Sequence, residues 1–339
     1  MIIPDGDDLH DDEWFASQNE TPYAAAAASL SVATDVIHRI IAASLITRMV
    51  YGIRTQTKQR DWNVFRRFFG WKSASVVAKT FAATTQFAKN TVRLPMRAHF
   101  MPRFPALNVR RLQEVFATDT FFSATEAHDG SKMCQLFVGK KSYFTEVVPM
   151  TQKSEFPNAL KDFVRKHGAM QGLMSDNAPE QISDQVHQIL RQYNIKDMQS
   201  EPYQQNQNPA ERRIQEVKAM TTVVMDRSGA PKKLWLLCLL YCVYILNRLA
   251  HVRLDNRTPL EICFGPTPDI SAQLCFAFYE AVYFHERNNP FPDTKECVGR
   301  FVGIVAENKG DALTFKILTE DDDGGFQIID RSVVRPVDD

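Results

Sequence analysis

The 339-residue chain has no Cys-x-x-Cys pair, and its six cysteines stand singly at Cys134, Cys238, Cys242, Cys263, Cys275 and Cys297. That scatter provides no disulfide framework and suits a reducing compartment, cytoplasm or nucleus. Ahead of Asp119 there is no cysteine at all, and the only histidines are His10, His38 and His99. An amino-terminal zinc site cannot be built there from the usual ligands. The opening residues, MIIPDGDDLHDDEWF, lack a basic segment and are not expected to act as a signal peptide or a transit peptide. The most apolar run, Leu234 to Leu246, is thirteen residues long, short of the ~20 that span a bilayer as a helix. It is expected to be a buried core helix. A net charge is missing too, since 40 basic and 40 acidic side chains cancel. Taken alone, that balance argues against a polyanionic partner.

The distribution of charge points the other way. Residues 1–20 carry seven acids and no lysine or arginine, and residues 320–339 carry seven acids against two bases. The body between them holds 38 basic and 26 acidic residues. From Lys89 to Gln113 it presents Lys89, Arg93, Arg97, Arg103, Arg110 and Arg111 with no acid. Such a stripe can track phosphates and release counterions; a solvated linker fits it equally well.

Four regions follow from the pattern along the chain. Residues 1–22 are acidic, lack an apolar period and are expected to be disordered. Residues 23–110 form a helical region, with helices expected over 23–54 and 74–90, and end in a basic linker broken by Pro95, Pro102 and Pro105. Residues 111–268 alternate strand and helix signals. Strands are expected at 115–122, 134–139 and 143–150, a helix at 154–168, a short strand at 172–176, a helix at 180–193, a strand at 195–202, and helices at about 208–227 and 231–249. This is an α/β order with a mixed sheet. Residues 269–339 return to short β runs and predict a small β-barrel or sheet with an acidic tail.

Three carboxylates stand out. Asp119 interrupts the apolar strand VFATDTFF, where a carboxylate is costly to bury without a cation. Asp176 ends the apolar run Gly172-Leu-Met-Ser-Asp, where a strand would emerge. Glu211 opens a helix whose apolar stripe is Ala210, Ile214, Val217 and Val224, with Glu211, Gln215 and Lys218 on the adjacent stripe. Each also has an ordinary explanation. Asp119 could be solvated on an edge strand, Asp176 could make an Asx-turn with Asn177, and Glu211 could pair with an Asn208 N-cap followed by Pro209.

Taken together, Asp119, Ser175-Asp176-Asn177 and Gln207-Asn208-Pro209-Ala210-Glu211-Arg212 resemble the D,D-35-E signature of retroviral and retrotransposon integrases. The first two acids are separated by 56 residues and the last two by 34. The segment from Trp235 to Arg248 is similar to the W-x-x-A-x-x-x-x-x-Y-x-x-N-R helix of copia-like integrases. Thr258-Pro259-Leu260-Glu261 and Gly265 to Ser271 resemble the T-P-x-E and G-x-x-P-x-x-S stretches that follow it. Thr84-Thr85-Gln86-Phe87-Ala88 and Ala117-Thr118-Asp119-Thr120 look most like copia-like (Ty1/copia) elements of diatoms and other microalgae. The pattern departs at Ala178 and Pro209, where the family has glycine, and in the absent zinc module.

The resemblance implies a ribonuclease H-like core with a mixed five-stranded sheet and flanking helices. It implies that Asp119, Asp176 and Glu211 are catalytic and hold two Mg²⁺ or Mn²⁺ ions, for which hard oxygen ligands are suited. The activity would be DNA strand transfer, a 3′-hydroxyl attacking a target phosphodiester, and the partners would be element cDNA ends, target DNA and further copies of the chain, with no membrane. Asn177, Gln207, Asn208, Arg212, Arg213 and Lys218 are candidates for nucleic-acid contacts. Competing readings are an inactive or domesticated fragment that only binds nucleic acid, and another ribonuclease H-like nuclease or transposase. A scaffold anchored in a membrane through Leu234 to Leu246 is the third.

Overall fold

The computed structural model describes residues 60–87, 109–176, 183–199, 209–286, 292, 294–305, 313–320 and 325–337. The expected acidic tail at 1–22, the helices at 23–54 and the proline-containing linker up to residue 108 lie outside them. Residues 61–339 form one compact unit.

The unit begins with a 3₁₀ turn, Val64–Phe69, and helix α1, Ala74–Ala83. Gly70 follows the 3₁₀ turn at φ 56°, a left-handed conformation that favours glycine, and a Cβ there would also displace the Met220 methyl, 1.9 Å away. The helix expected over 74–90 stops at Ala83. Thr85 instead forms an isolated parallel bridge with Asp269: its N–H donates to the Pro268 carbonyl at 3.0 Å, and Ile270 N–H donates back to its carbonyl at 3.0 Å. Asp269 is fully buried, and its carboxylate accepts from the Phe87 and Ser271 amides at 2.8 and 2.9 Å.

Next comes a meander of β1 (Val115–Phe122), β2 (Met133–Gly139) and β3 (Thr145–Met150). Helix α2 (Phe156–His167) leads to β4 (Gly172–Ser175), and α3 (Asp184–Gln192) leads to β5 (Lys196–Gln199). The strands are ordered β3-β2-β1-β4-β5, with β1, β2 and β3 antiparallel and β4 and β5 parallel to β1. That order and those directions make the sheet ribonuclease H-like. α2 and α3 close one face over a core of Phe116, Phe137, Phe163, Leu173 and Ile189.

The other face is covered by α4 (Pro209–Ser228) and α5 (Trp235–Leu246), and the short α6 (Pro259–Phe264) follows. The buried stripe of α4 is Ala210, Arg213, Ile214, Val217, Met220, Thr221 and Val224. Ten of the twelve α5 residues are buried, because the helix packs against β3 on one side and the second sheet on the other. An all-round apolar helix in such a place is a core element, and no helix among the described residues is long and apolar enough to cross a membrane.

The second sheet contains β6 (Ala281–His285), β7 (Glu296–Ile304), β8 (Phe315–Glu320), β9 (Phe326–Arg331) and β10 (Val334–Pro336). It is antiparallel throughout, in the order β10-β6-β7-β8-β9. Only Ser332 and Val333 separate β9 on one edge from β10 on the other, so the sheet must curl until its edges meet. A register shift between Phe301 and Gly303 helps β7 bend.

Candidate active site

Asp119 lies in the middle of β1, the third of five strands, with β2 antiparallel on one side and β4 parallel on the other. This removes the explanation of a solvated residue on an edge strand. The β1/β4 register then decides its neighbour. Val115, Phe116 and Ala117 face Gly172, Leu173 and Met174, a constant offset of 57. Carried past the last pair, the same offset sets Asp119 against Asp176, which is exposed just beyond the end of β4. Strand alternation puts Asp119 on the face of Ala117 and Phe121, which pack in the core beneath α4. Glu211, the third residue of α4, is exposed in its first turn.

The electrostatics of Asp119 involve the other two acids and Lys218. The Asp119 carboxyl is pushed up from 3.8 to about 6, chiefly by burial, with the negative charges of Asp176 and Glu211 adding to the effect. The Thr120 amide, which donates to Asp119 Oδ1 at 2.7 Å, and the Lys218 ammonium oppose it. Lys218 sits on the exposed side of α4, with its ammonium 5.1 Å from the centre of the Phe121 ring. Burial and the two neighbouring acids disfavour the ionised form of Asp119, an effect that a hard divalent cation held by these oxygen donors would relieve. Among the described residues, however, no three acidic, histidine or cysteine side chains are close enough together to hold a metal ion. The donor chemistry fits; a closed ligand cage is not formed.

The other expected contacts divide. Asn177, Gln207 and Asn208 lie outside the described residues. Arg212 is exposed on α4. Arg213 corrects the expectation that it faces a phosphate: it is 6% exposed and bonded within the chain. Its Nε donates to Thr145 Oγ1 at 2.7 Å, its Nη2 to the Tyr143 carbonyl at 3.1 Å and its Nη1 to Glu216 Oε2 at 2.7 Å. Spacing carries the signal for this burial, since Arg213 falls three residues after Ala210 and four before Val217, inside the apolar stripe. The two described members of the basic stripe behave alike. Arg110 donates to the Phe264 carbonyl at 3.0 Å, and Arg111 donates to the carbonyls of Tyr193 and Asn194.

Two residues with structural weight carried no assigned role in the sequence. Asn247 is buried, and its side chain accepts from the Thr145 amide at 2.8 Å and donates to the Thr145 carbonyl at 2.7 Å, as a neighbouring strand would on the open edge of β3. Glu216 binds Arg213 and also takes Lys72 Nζ at 2.8 Å. Although burial opposes it, these cations hold the Glu216 carboxyl down at about 2.

No family model matches the chain. The chain is similar to the Pol polyproteins of plant transposons. It is 25% identical over 172 residues to the retrovirus-related Pol polyprotein from transposon RE1 of Arabidopsis thaliana, covering 48% of this chain and 11% of that protein. It is 24% identical over 192 residues to the corresponding polyprotein from transposon RE2 of the same plant, covering 54% and 13%. The matched part is thus about a tenth of the length of these relatives. Among solved structures, the HTLV-2 integrase catalytic core in complex with magnesium is 17% identical, with 44% of this chain and 96% of that one covered at a TM-score of 0.37. The catalytic core of BIV integrase is 14% identical, with 44% and 93% covered at a TM-score of 0.37. A simian T-cell lymphotropic virus intasome chain, solved with the PP2A regulatory subunit B56 gamma, is 15% identical, with 68% and 84% covered at 0.36.

Proposed function

We propose that the chain is an integrase-type polynucleotidyl transferase of a copia-like retrotransposon, joining a DNA 3′-hydroxyl to a target phosphodiester. The observation that carries this reading is the β1/β4 register, which sets Asp119 against Asp176 while the Glu211 charge acts on the same carboxyl. Asp119, Asp176 and Glu211 are the residues that would hold two Mg²⁺ or Mn²⁺ ions. When bound, such a pair activates an attacking oxygen and stabilises a leaving one in an in-line displacement at phosphorus. The chain's own groups do the rest. Lys218 and Arg212, both exposed on α4, draw phosphates towards the acids, and Phe121 holds the Lys218 ammonium beside Asp119. Asn177, which follows Asp176, and Gln207 and Asn208, four and three residues before Glu211, complete the proposed DNA contacts. Partners are the element's cDNA ends, target DNA and other copies of the chain, in cytoplasm or nucleus. Within copia-like elements, the affinity to those of microalgae rests on Thr84 to Ala88 and Ala117 to Thr120.

A second reading, an inactive element fragment that only binds nucleic acid, is favoured by one observation: the acids do not form a closed metal cage among the described residues. One assay separates the two. The purified chain is given a duplex with a free 3′-hydroxyl, a plasmid target and Mn²⁺ or Mg²⁺. Joining is expected, and it is expected to vanish in Asp119→Asn, Asp176→Asn and Glu211→Gln with circular dichroism unchanged. Joining by Asp176→Asn at the wild-type rate refutes the assignment. DNA binding without joining by the wild-type chain selects the second reading.

A further inference from the structure

Arg213 is buried and bonded within the chain, a cation in a stripe where an apolar residue would pack. Replacing a buried ion pair by apolar groups of similar volume is often neutral or stabilising, so packing alone does not account for the guanidinium. Its geometry does. Nε and Nη2 clasp the start of β3 through the Thr145 hydroxyl and the Tyr143 carbonyl, and Nη1 returns to Glu216 on the same helix. Both anchor points are themselves fixed. Asn247, which caps the end of α5, binds the backbone of Thr145 on both its polar groups. Tyr143 turns its carbonyl inward from a left-handed backbone at φ 58°, and its ring stacks on His251 at 4.9 Å between centroids. Glu216 is tied in turn to Lys72, which precedes α1. A planar fork with several fixed donors sets both distance and rotation, which a flexible ammonium or a methyl group does not.

Arg213 lies two residues from Glu211, near the start of α4. We propose that Arg213 is a positioning residue, fixing the height and rotation of that turn over the sheet so that the Glu211 carboxylate faces Asp119. The proposal rests on the reading of Glu211 as a metal ligand. It predicts a functional loss that is separable from stability and from DNA affinity.

The test compares Arg213→Met, which keeps the stripe apolar, and Arg213→Lys, which keeps the charge and loses the fork. Four quantities are measured on the full chain: melting temperature, strand-transfer turnover, KM for DNA, and Mn²⁺ affinity of the DNA-free protein by titration calorimetry. Both variants are expected to fold, to keep KM within twofold, to bind Mn²⁺ several-fold more weakly and to turn over at least tenfold more slowly. Unchanged turnover and Mn²⁺ affinity alongside a shifted melting temperature overturn the proposal in favour of a structural ion pair. A raised KM with turnover kept overturns it in favour of a phosphate contact. Glu211→Gln is run beside them; if it keeps wild-type turnover and Mn²⁺ affinity, the reading of Glu211 fails, and the positioning role with it. Should the Arg213 variants not fold, Thr145→Val keeps the guanidinium and removes the acceptor of the Nε bond, together with the bond that the Thr145 hydroxyl donates to the Tyr143 carbonyl at 3.1 Å. A several-fold loss of turnover at constant KM then supports the proposal, and no loss overturns it.

Discussion

The two faces of the first sheet are built from alternate residues of the same strand, and they do different work. Beneath α2 and α3 the rings of Phe116 and Phe163 meet edge-on at 5.0 Å, and Phe137 lies 4.9 Å from Phe163 and 6.4 Å from Phe156. The polar groups on that face satisfy one another: Thr120 donates to Gln135 at 2.6 Å, and Gln135 donates to Thr118 at 2.5 Å. Beneath α4 the same strand offers Ala117, Asp119 and Phe121. There the polar contacts run between elements distant in sequence, from Arg213 to Thr145, from Asn247 to Thr145 and from Lys72 to Glu216. Both faces are packed with apolar side chains, and on the second one long-range polar bonds also fix where charged groups stand.

This contrast can be broken by experiment. The largest expected effect is catalytic: Asp119→Asn or Asp176→Asn should lower strand transfer by at least about a thousandfold (on the order of 4 kcal/mol of barrier) while leaving the protein folded. On the opposite face, Phe163→Ala should cost about 3–5 kcal/mol of stability, measured by urea unfolding, with activity falling only as far as the folded fraction does. A Phe163→Ala protein of unchanged stability would erase the distinction. Asn247→Ala leaves both backbone groups of Thr145 without their side-chain partner and should cost about 2 kcal/mol in the same measurement.

A smaller effect concerns Asp119 and pH. Its folded value, about 6, lies above the 3.8 of an ordinary aspartate. The folded state therefore holds the proton more tightly, and the stability this contributes below pH 3.8 is lost as pH rises through 6. In metal-free protein, Asp119→Asn should accordingly raise stability by about 1–2 kcal/mol at high pH, after discounting for partial exposure. Thermal melts at about pH 8 should show the gain and melts near pH 4 should not; a gain of equal size at both would assign the effect to packing. The smallest effect is that of Lys218→Ala on DNA binding, where one lost phosphate contact should make the log–log salt slope shallower by about 0.9.

Much of this arrangement is legible in the sequence because it is local. The β-branched and aromatic run VFATDTFF marks β1, and the stripe of Ala210, Ile214, Val217 and Val224 marks the buried side of α4. The apolar run after Leu234 marks a helix buried all round. What stays hidden depends on partners far along the chain. Thr84 to Phe87 continue a helical pattern, and only Asp269, 184 residues beyond Thr85, draws them into an extended strap. The place of Arg213 inside the apolar stripe shows its burial, but not its partners: Thr145 and Tyr143 are brought under it by the β2–β3 turn. The convergence of Asp119 and Asp176 likewise needs a parallel register that neither strand announces alone.

That strap sets an order of events during synthesis. Residues 61–87 are made first, yet their fastenings are among the later parts of the unit to emerge: the Ala250 amide for Thr80, the Pro268–Ile270 backbone for Thr85 and the Gln273 side chain for the Phe68 carbonyl. At ~5–20 residues per second the ribosome needs on the order of ten to forty seconds to travel from Thr85 to Gln273. Through that interval the leading segment carries its aromatic side chains, Trp62, Phe65, Phe69 and Phe81 among them, without the surface they finally cover. A nascent chain stalled before residue 250 should therefore be the species that chaperones hold longest.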